Sequence, residues 1–175
     1  MRSFIGIPLN DIARDEIFKL YPDIKDLRFI RKENLHITVK FLGEIQEKRI
    51  EKIKDIIEES CSDISKFKIS CKRLSAFPSL TSARIIWVNV MDGADTIEKI
   101  YKKLENKLAN IGFEKEKRKY IPHITIARAK SSIDITEYLH NFEINSMASE
   151  IVLYKSDLKP NGPIYTEIFK YNFKD

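Results

Sequence analysis

The sequence predicts an α+β fold in which a strand–helix–strand unit occurs twice. Short β-branched runs alternate with longer segments whose apolar residues recur at helical spacing. The phrase His-Ile-Thr closes each unit, and it lies 34 residues after Arg2 at His36 and 39 residues after Arg84 at His123. Near-equal spacing is typical of an internal duplication. We therefore predict a duplicated, bilobal fold with two antiparallel sheets flanked by helices and a central cleft, forming one domain over residues 1–175 from two pseudo-symmetric lobes.

The first unit is bounded by residues that start or stop regular structure. Asn10 or Asp11 can cap a helix that reaches about Tyr21, because short polar side chains accept hydrogen bonds from the first helical turn. Pro22 ends this helix, and Gly43 ends the strand that carries the first phrase. The predicted strands are Arg2–Ile7, Leu27–Ile30, Leu35–Leu42 and Phe67–Leu74, and a second helix is predicted from Ile50, Ile53, Ile56 and Ile57.

The second unit follows a polar loop over Phe77–Ser82. A helix from Asp92 to Ile111 has apolar residues at helical spacing, and Gly112 closes it. The predicted strands are Arg84–Val90, Ile121–Ala127, Ile144–Lys155 and Ile164–Phe173, with a short helix near Asp134–His140 and a turn at Pro160-Asn161-Gly162-Pro163.

Composition restricts the class of protein. The formal charge of +5 favours a polyanionic partner such as RNA. No apolar run has the length of a membrane span, and the N-terminal apolar stretch is too short for a signal peptide. Cys61 and Cys71 form no Cys-x-x-Cys pair, so neither a zinc site nor a disulfide framework is expected. We expect a cytoplasmic protein without membrane contact.

The two phrases place candidate catalytic groups on strands. Side chains alternate between the faces of a strand, so His36 and Thr38 share one face, as do His123 and Thr125. A single such histidine would fit a structural role in a core, but the repetition favours a site. Two imidazoles that bracket one substrate can supply acid and base together near neutral pH.

This pair suits a cyclic phosphodiester. One neutral histidine can take a proton from water, while the other, protonated, donates to the departing ribose oxygen, which predicts a bell-shaped pH dependence. Thr38 and Thr125 can donate hydrogen bonds to the non-bridging oxygens. No metal-ligand cluster, nucleophile elbow or nucleotide-binding glycine pattern accompanies the phrases, so we expect no metal and no cofactor.

Four segments in order resemble the 2H phosphoesterases, and more closely the RNA 2′,3′-cyclic phosphodiesterases, also called 2′-5′ RNA ligases. The segments are Arg2-Ser3-Phe4-Ile5-Gly6-Ile7, Leu35-His36-Ile37-Thr38-Val39-Lys40-Phe41-Leu42-Gly43-Glu44, Pro122-His123-Ile124-Thr125-Ile126-Ala127-Arg128 and Ser156-x-Leu158-x-Pro160-x-Gly162-Pro163-x-Tyr165. One motif alone would be a weak indication, whereas four in order are specific.

The resemblance implies metal-independent hydrolysis of RNA 2′,3′-cyclic phosphate ends to 2′-phosphates, with reversible 2′-5′ ligation as a second reaction. It implies RNA ends, tRNA fragments among them, as the partner of a monomeric enzyme. His36 is assigned as proton donor and His123 as proton acceptor, although the symmetry of the phrases leaves the reverse open. The alternatives are a small-molecule cyclic phosphodiesterase and a non-catalytic RNA-binding module.

Basic residues near the phrases are candidate phosphate ligands. Strict alternation places Lys40 on the face of His36, where it could contact phosphate. Arg128 matches a basic position of the family but falls on the opposite face, so it reaches the site only if its strand bends or bulges. The run Lys115–Lys119 can contact RNA phosphates or form a solvated loop.

Aromatic residues near the phrases have two possible roles. Phe41 and Tyr165 can stack on a base, although core packing is the commoner role of strand aromatics. Trp87 lies in a strand that is expected to be buried, and we predict that it packs in the core.

Overall fold

Ten strands and three α-helices make up the computed structural model, which describes residues 1–175. The strands are β1 Arg2–Pro8, β2 Leu27–Phe29, β3 His36–Glu44, β4 Phe67–Cys71, β5 Leu74–Phe77, β6 Ala83–Asn89, β7 His123–Ile133, β8 Ile144–Ala148, β9 Glu150–Asp157 and β10 Ile164–Asn172. The helices are α1 Asp11–Phe18, α2 Ile50–Cys61 and α3 Ala94–Ala109. The predicted α+β class is confirmed.

Two four-stranded antiparallel sheets dominate the fold, with strand orders β10-β9-β1-β3 and β2-β7-β6-β5. Each strand that carries a His-Ile-Thr phrase pairs with the strand that precedes its helix, β3 with β1 and β7 with β6. The chain crosses between the two sheets. β2 lies early in the chain but pairs with β7 in the second sheet, whereas β9 and β10 lie late in the chain and complete the first sheet, in which β9 pairs with β1. The division into two pseudo-symmetric lobes of one domain stays a prediction.

The helices are held against the sheets by one apolar core. A cluster of 35 buried residues draws on both large sheets and on all three helices. Ile53 and Ile57 of α2 and Ile97 of α3 are fully buried, and each contributes about 1.5–3 kcal/mol by leaving water. Asn10 caps α1 as predicted, since its side chain accepts from the Ala13 amide at 2.8 Å. None of the helices combines the length and apolarity needed to cross a membrane.

One predicted strand, Phe67–Leu74, is divided between two sheets. β4 ends at Cys71 and pairs with β8, whereas β5 begins at Leu74 and pairs with β6. The break arises because the amides of Lys72 and Arg73 donate to Asn89 Oδ1, at 3.2 and 2.9 Å, in place of a strand partner.

The predicted strand Ile144–Lys155 is divided in the same way, into β8 and β9. The Ser149 carbonyl between them accepts from the Phe173 amide at 2.9 Å. The predicted short helix near residues 134–140 is a single 3₁₀ turn, Thr136–Tyr138, which begins where the Asp134 carboxylate accepts from the Thr136 amide at 2.9 Å.

Candidate active site

His36 is anchored at the start of β3 by two hydrogen bonds. Its Nδ1 lies 2.6 Å from the Asn34 carbonyl oxygen, and its Nε2 lies 2.9 Å from Thr38 Oγ1. A carbonyl can only accept, so Nδ1 carries the proton of the neutral ring and Nε2 accepts from the Thr38 hydroxyl. His36 and Thr38 thus share one face, and Nε2 is the nitrogen available for chemistry.

The surroundings of His36 favour its neutral form. Burial lowers the pKa of His36 from 6.5 to about 4; the Asn34 carbonyl opposes this shift, while the charges of Arg14 and His123 add to it. The rings of Phe4 and Tyr165 lie 4.8 and 5.4 Å from the imidazole, centroid to centroid. At neutral pH the ligand-free protein therefore holds His36 uncharged.

His123 has the same type of anchor at the start of β7. Its Nδ1 lies 2.6 Å from the carbonyl oxygen of Ile121, again two residues earlier in the chain. Its ring lies 5.3 Å from that of Trp87 on β6. Nε2 of His123 is therefore also the nitrogen left for chemistry, and the half-buried Thr125 follows on the same face.

The strands β3 and β7 contact each other, and we call the space in front of their His–Thr faces the cleft. The charge of His123 is one of the lesser causes that lower the pKa of His36. Tyr120, just before β7, donates its hydroxyl to the Thr38 carbonyl at 2.8 Å and so ties the approach of β7 to β3.

A β-bulge in β3 turns Lys40 away from this cleft. Thr38 pairs with Gly6 and Lys40 pairs with Ile5, so Val39 is an extra residue that breaks the alternation of side chains. Val39 and Lys40 are consequently both buried. The prediction that Lys40 shares the face of the catalytic candidates and contacts phosphate is wrong.

Lys40 instead forms a buried ion pair. Its Nζ lies 2.7 Å from Glu105 Oε2 on α3, and it also donates to the Glu114 carbonyl at 2.8 Å. The Glu105 carboxylate accepts in turn from the Glu116 amide. The pair therefore fastens the segment between α3 and β7 to the first of the two phrase-bearing strands.

A matching bulge in β7 turns Arg128 toward the cleft. Thr125 pairs with Trp87 and Ala127 pairs with Ile86, so Ile126 is the extra residue. Ile126 and Ala127 are both buried, and Arg128 emerges exposed on the face of Thr125. The condition on which Arg128 could reach the site, a bulged strand, is met.

The first sheet contributes an aromatic wall to the cleft. Phe4 lies centrally in this wall, with Tyr154 at 5.0 Å, Tyr165 at 4.9 Å and Phe41 at 6.2 Å, all between ring centroids. Phe41 is 64% exposed because the bulge in β3 turns it outward. Of the two aromatic residues proposed to stack on a base, Tyr165 lies beside His36, with ring centroids 5.4 Å apart, whereas Phe41 lies on the far side of Phe4.

Two further residues line the site without having been expected there. Trp87 is half-buried against His123, so its prediction as a core residue is wrong. Gly6 belongs to the first of the four family-like segments but was not named there as a site residue, yet a Cβ there would lie 3.2 Å from His36 Cδ2 and 3.1 Å from the Ile37 carbonyl oxygen. A glycine inside a strand indicates such a close approach, and this was the signal that could have found it.

The basic run Lys115–Lys119 lies beside the cleft. Lys115, Lys117 and Arg118 line a groove of about 350 Å³ that Phe41 also borders. The Arg118 guanidinium lies 5.5 Å from the ring of Phe77. The run is exposed, and its contact with RNA stays a prediction.

The sequence matches the 2′-5′ RNA ligase superfamily over residues 18–160. The chain belongs to this superfamily. It is therefore an enzyme of the phosphoesterase class, and the resemblance found in the four segments is confirmed. A relative from Methanocaldococcus jannaschii, named RNA 2′,3′-cyclic phosphodiesterase, is 39% identical, and the match covers 96% of this chain and 98% of the relative. A relative of the same name from Methanothermobacter thermautotrophicus is 30% identical, with 96% of each chain covered.

Solved structures share the fold of this chain. A protein of Thermus thermophilus superposes with a TM-score of 0.87 at 21% identity, covering 99% of this chain and 98% of that one. Escherichia coli LigT complexed with 3′-AMP superposes with a TM-score of 0.83 at 22% identity, with the same coverage. These likenesses confirm the fold class, with two sheets flanked by helices.

The depressed pKa of His36 predicts a specific pH dependence of stability. Between about pH 4 and 6.5 the unfolded chain binds more protons at this residue than the folded chain does, so stability falls as the pH is lowered through that range. Between pH 7 and 4.5 we expect a loss on the order of 2 kcal/mol that His36→Gln does not show. Denaturant unfolding of both proteins at the two pH values measures it, and equal losses would contradict the assignment.

The buried ion pair predicts a large asymmetry between single and double substitutions. Lys40→Met leaves the Glu105 carboxylate buried without its partner and should lower the free energy of unfolding by about 3–5 kcal/mol. The double variant Lys40→Met with Glu105→Leu should lose less, because no unpaired charge remains.

A surface pair between α3, the helix of Glu105, and α2 provides the control. Lys107→Met removes an exposed contact of 2.6 Å with Glu59 and should cost less than about 1 kcal/mol. Urea unfolding of the four proteins gives the comparison. A Lys40→Met variant as stable as Lys107→Met would show that the buried pair is dispensable.

Proposed function

We propose that this enzyme hydrolyses RNA 2′,3′-cyclic phosphate ends to 2′-phosphates without a metal ion, by paired-histidine acid–base catalysis. The observation that supports the proposal is the repeated setting of the two histidines. Each begins a strand, has Nδ1 held by a carbonyl two residues earlier and precedes a threonine on the same face, and the two strands contact each other. The relatives named RNA 2′,3′-cyclic phosphodiesterase support the same substrate.

The proposed reaction is a single displacement at phosphorus. His123 Nε2 takes a proton from water, and the water oxygen forms a bond to phosphorus. The bond between phosphorus and O3′ breaks, and His36 Nε2 gives its proton to O3′, which leaves a 2′-phosphate and a 3′-hydroxyl. When His36 Nε2 is protonated it no longer accepts from Thr38, so the hydroxyls of Thr38 and Thr125 are both able to donate hydrogen bonds to the non-bridging oxygens, where negative charge accumulates. Solvent then restores both protonation states.

The donor role requires that substrate binding changes the charge state of His36. In the ligand-free protein its pKa is about 4, mainly because of burial. A phosphate anion beside the ring stabilises the imidazolium and raises that pKa. The low value in the free protein favours the reverse assignment, in which His36 takes the proton from water, so the roles need a separate test.

The two walls of the cleft suit the two parts of an RNA end. Phe41 and Tyr165 on the aromatic wall can stack on the terminal base, which is a common mode of single-stranded RNA recognition. Arg128 on the opposite wall can contact phosphate. The full proposal is a cytoplasmic monomer that acts on RNA ends, tRNA fragments among them, and that can also run the reverse 2′-5′ ligation.

Hydrolysis of a defined RNA with a 2′,3′-cyclic phosphate end tests the proposal. In excess chelator we expect full activity and a 2′-phosphate product. His36→Ala and His123→Ala should each lower kcat/KM by about 10²–10⁴, because each removes an acid or base. His140→Ala is the matched control, since His140 is exposed and lies outside the cleft, and it should retain the wild-type rate.

Each alternative has its own outcome in the same assay. Inhibition by chelator or a 3′-phosphate product would contradict the mechanism as stated. Much faster turnover of cyclic mononucleotides than of RNA would favour a small-molecule phosphodiesterase. No turnover in the wild type, with RNA affinity unaltered in the double histidine variant, would favour a non-catalytic RNA-binding module.

A sulfur substitution at the leaving group separates the roles of the histidines. A thiolate leaves without protonation, so a 3′-thio cyclic phosphate reduces the need for a general acid. If His36 is the donor, His36→Ala should recover about tenfold or more of its lost activity on the 3′-thio substrate, while His123→Ala should recover little. Recovery by His123→Ala alone would reverse the assignment.

A further inference from the structure

Two arginines lie side by side on the cleft face of the second sheet. Arg28 of β2 pairs directly with Arg128 of β7 in the antiparallel register. Directly opposed residues project from the same face, with Cβ atoms about 5 Å apart. Both residues are exposed, and like charges so placed repel each other.

The chain supplies no counter-charge to this pair. Arg14, by comparison, lies 3.7 Å from an Asp11 carboxylate oxygen, whereas no Asp or Glu oxygen lies within the 4.0 Å of an ion pair from either Arg28 or Arg128. The neighbour of Arg128 on its other side is the apolar Ile85. The repulsion is therefore unrelieved in the free protein, and an anion held between the two guanidinium groups would relieve it.

The arginine pair lies on the same sheet as Thr125 but is displaced from it along the strand. Thr125 pairs with Trp87 and Arg128 with Ile85, two ladder steps or about 7 Å along the strand. Arg28 lies on the neighbouring strand β2, whose backbone is about 4.8 Å from that of β7. Burial raises the pKa of Tyr165 while the charge of Arg128 opposes that rise, which places Arg128 within electrostatic range of the aromatic wall.

We infer that Arg28 and Arg128 form a second phosphate subsite, which binds the 5′-phosphate of the terminal nucleotide while the cyclic phosphate lies between the histidines. This inference rests on the proposed function. A 5′-phosphate is the link to the rest of an RNA chain, and a free nucleoside 2′,3′-cyclic phosphate lacks it. The subsite therefore makes the enzyme prefer polynucleotide ends to cyclic mononucleotides.

The smallest substrates that test the subsite are adenosine 2′,3′-cyclic phosphate with and without a 5′-phosphate. They differ by one phosphate and share the same base, so stacking cancels in the ratio of their kcat/KM values. We expect the wild type to prefer the 5′-phosphorylated substrate. Arg28→Gln should lower that preference about tenfold or more, and Arg28→Lys should lower it less.

A matched control separates the subsite from overall charge. Lys52→Gln removes one positive charge from the exposed side of α2, away from the cleft strands, and should leave the preference as in the wild type. An unchanged preference in Arg28→Gln, with both substrates still hydrolysed, would overturn the subsite and leave the proposed function standing. A wild-type protein that hydrolyses neither of the two mononucleotides nor RNA would overturn both the subsite and the proposed function.

Discussion

The bulge after each threonine of the His-Ile-Thr phrases decides which side chains face the cleft. In both strands the phrase keeps strict alternation, and then an extra residue, Val39 or Ile126, shifts the next side chains by one position. As a result Phe41 and Arg128, which follow at the same distance from their histidines, both emerge on the cleft face. Bulges near active sites commonly redirect a side chain in this way.

The same backbone device therefore gives two chemically different walls. Phe41 joins the aromatic residues of the first sheet, whereas Arg128 joins Arg28 in the second. The environments differ accordingly, since the ring of His36 lies between Phe4 and Tyr165 and is kept neutral by burial. The first sheet thus presents aromatic residues beside its histidine, and the second sheet presents two arginines near its own.

Period-2 alternation holds from His36 to Thr38 and from His123 to Thr125, so the shared face of each His–Thr pair could be predicted from the sequence. The face of Lys40 could not, because a bulge leaves no mark in the residue types around it, and only the pairing of β3 with β1 shows the shift. Arg28 was missed for a related reason. Its neighbour is defined by pairing with a strand about one hundred residues later, which no local pattern reports.

The exchange of strands between the sheets has a consequence for how the enzyme is synthesised. In the first sheet β1 lies between β3 and β9. One edge of β1 therefore stays unpaired until residues 150–157, which form β9, have been synthesised. Tyr165 and Tyr154, which complete the aromatic wall, come from the same late segment. On the ribosome both histidines thus emerge well before the wall around His36 exists. A nascent chain carries both histidines but not the surroundings that lower the pKa of His36, and such long-range pairing is typical of slow folding.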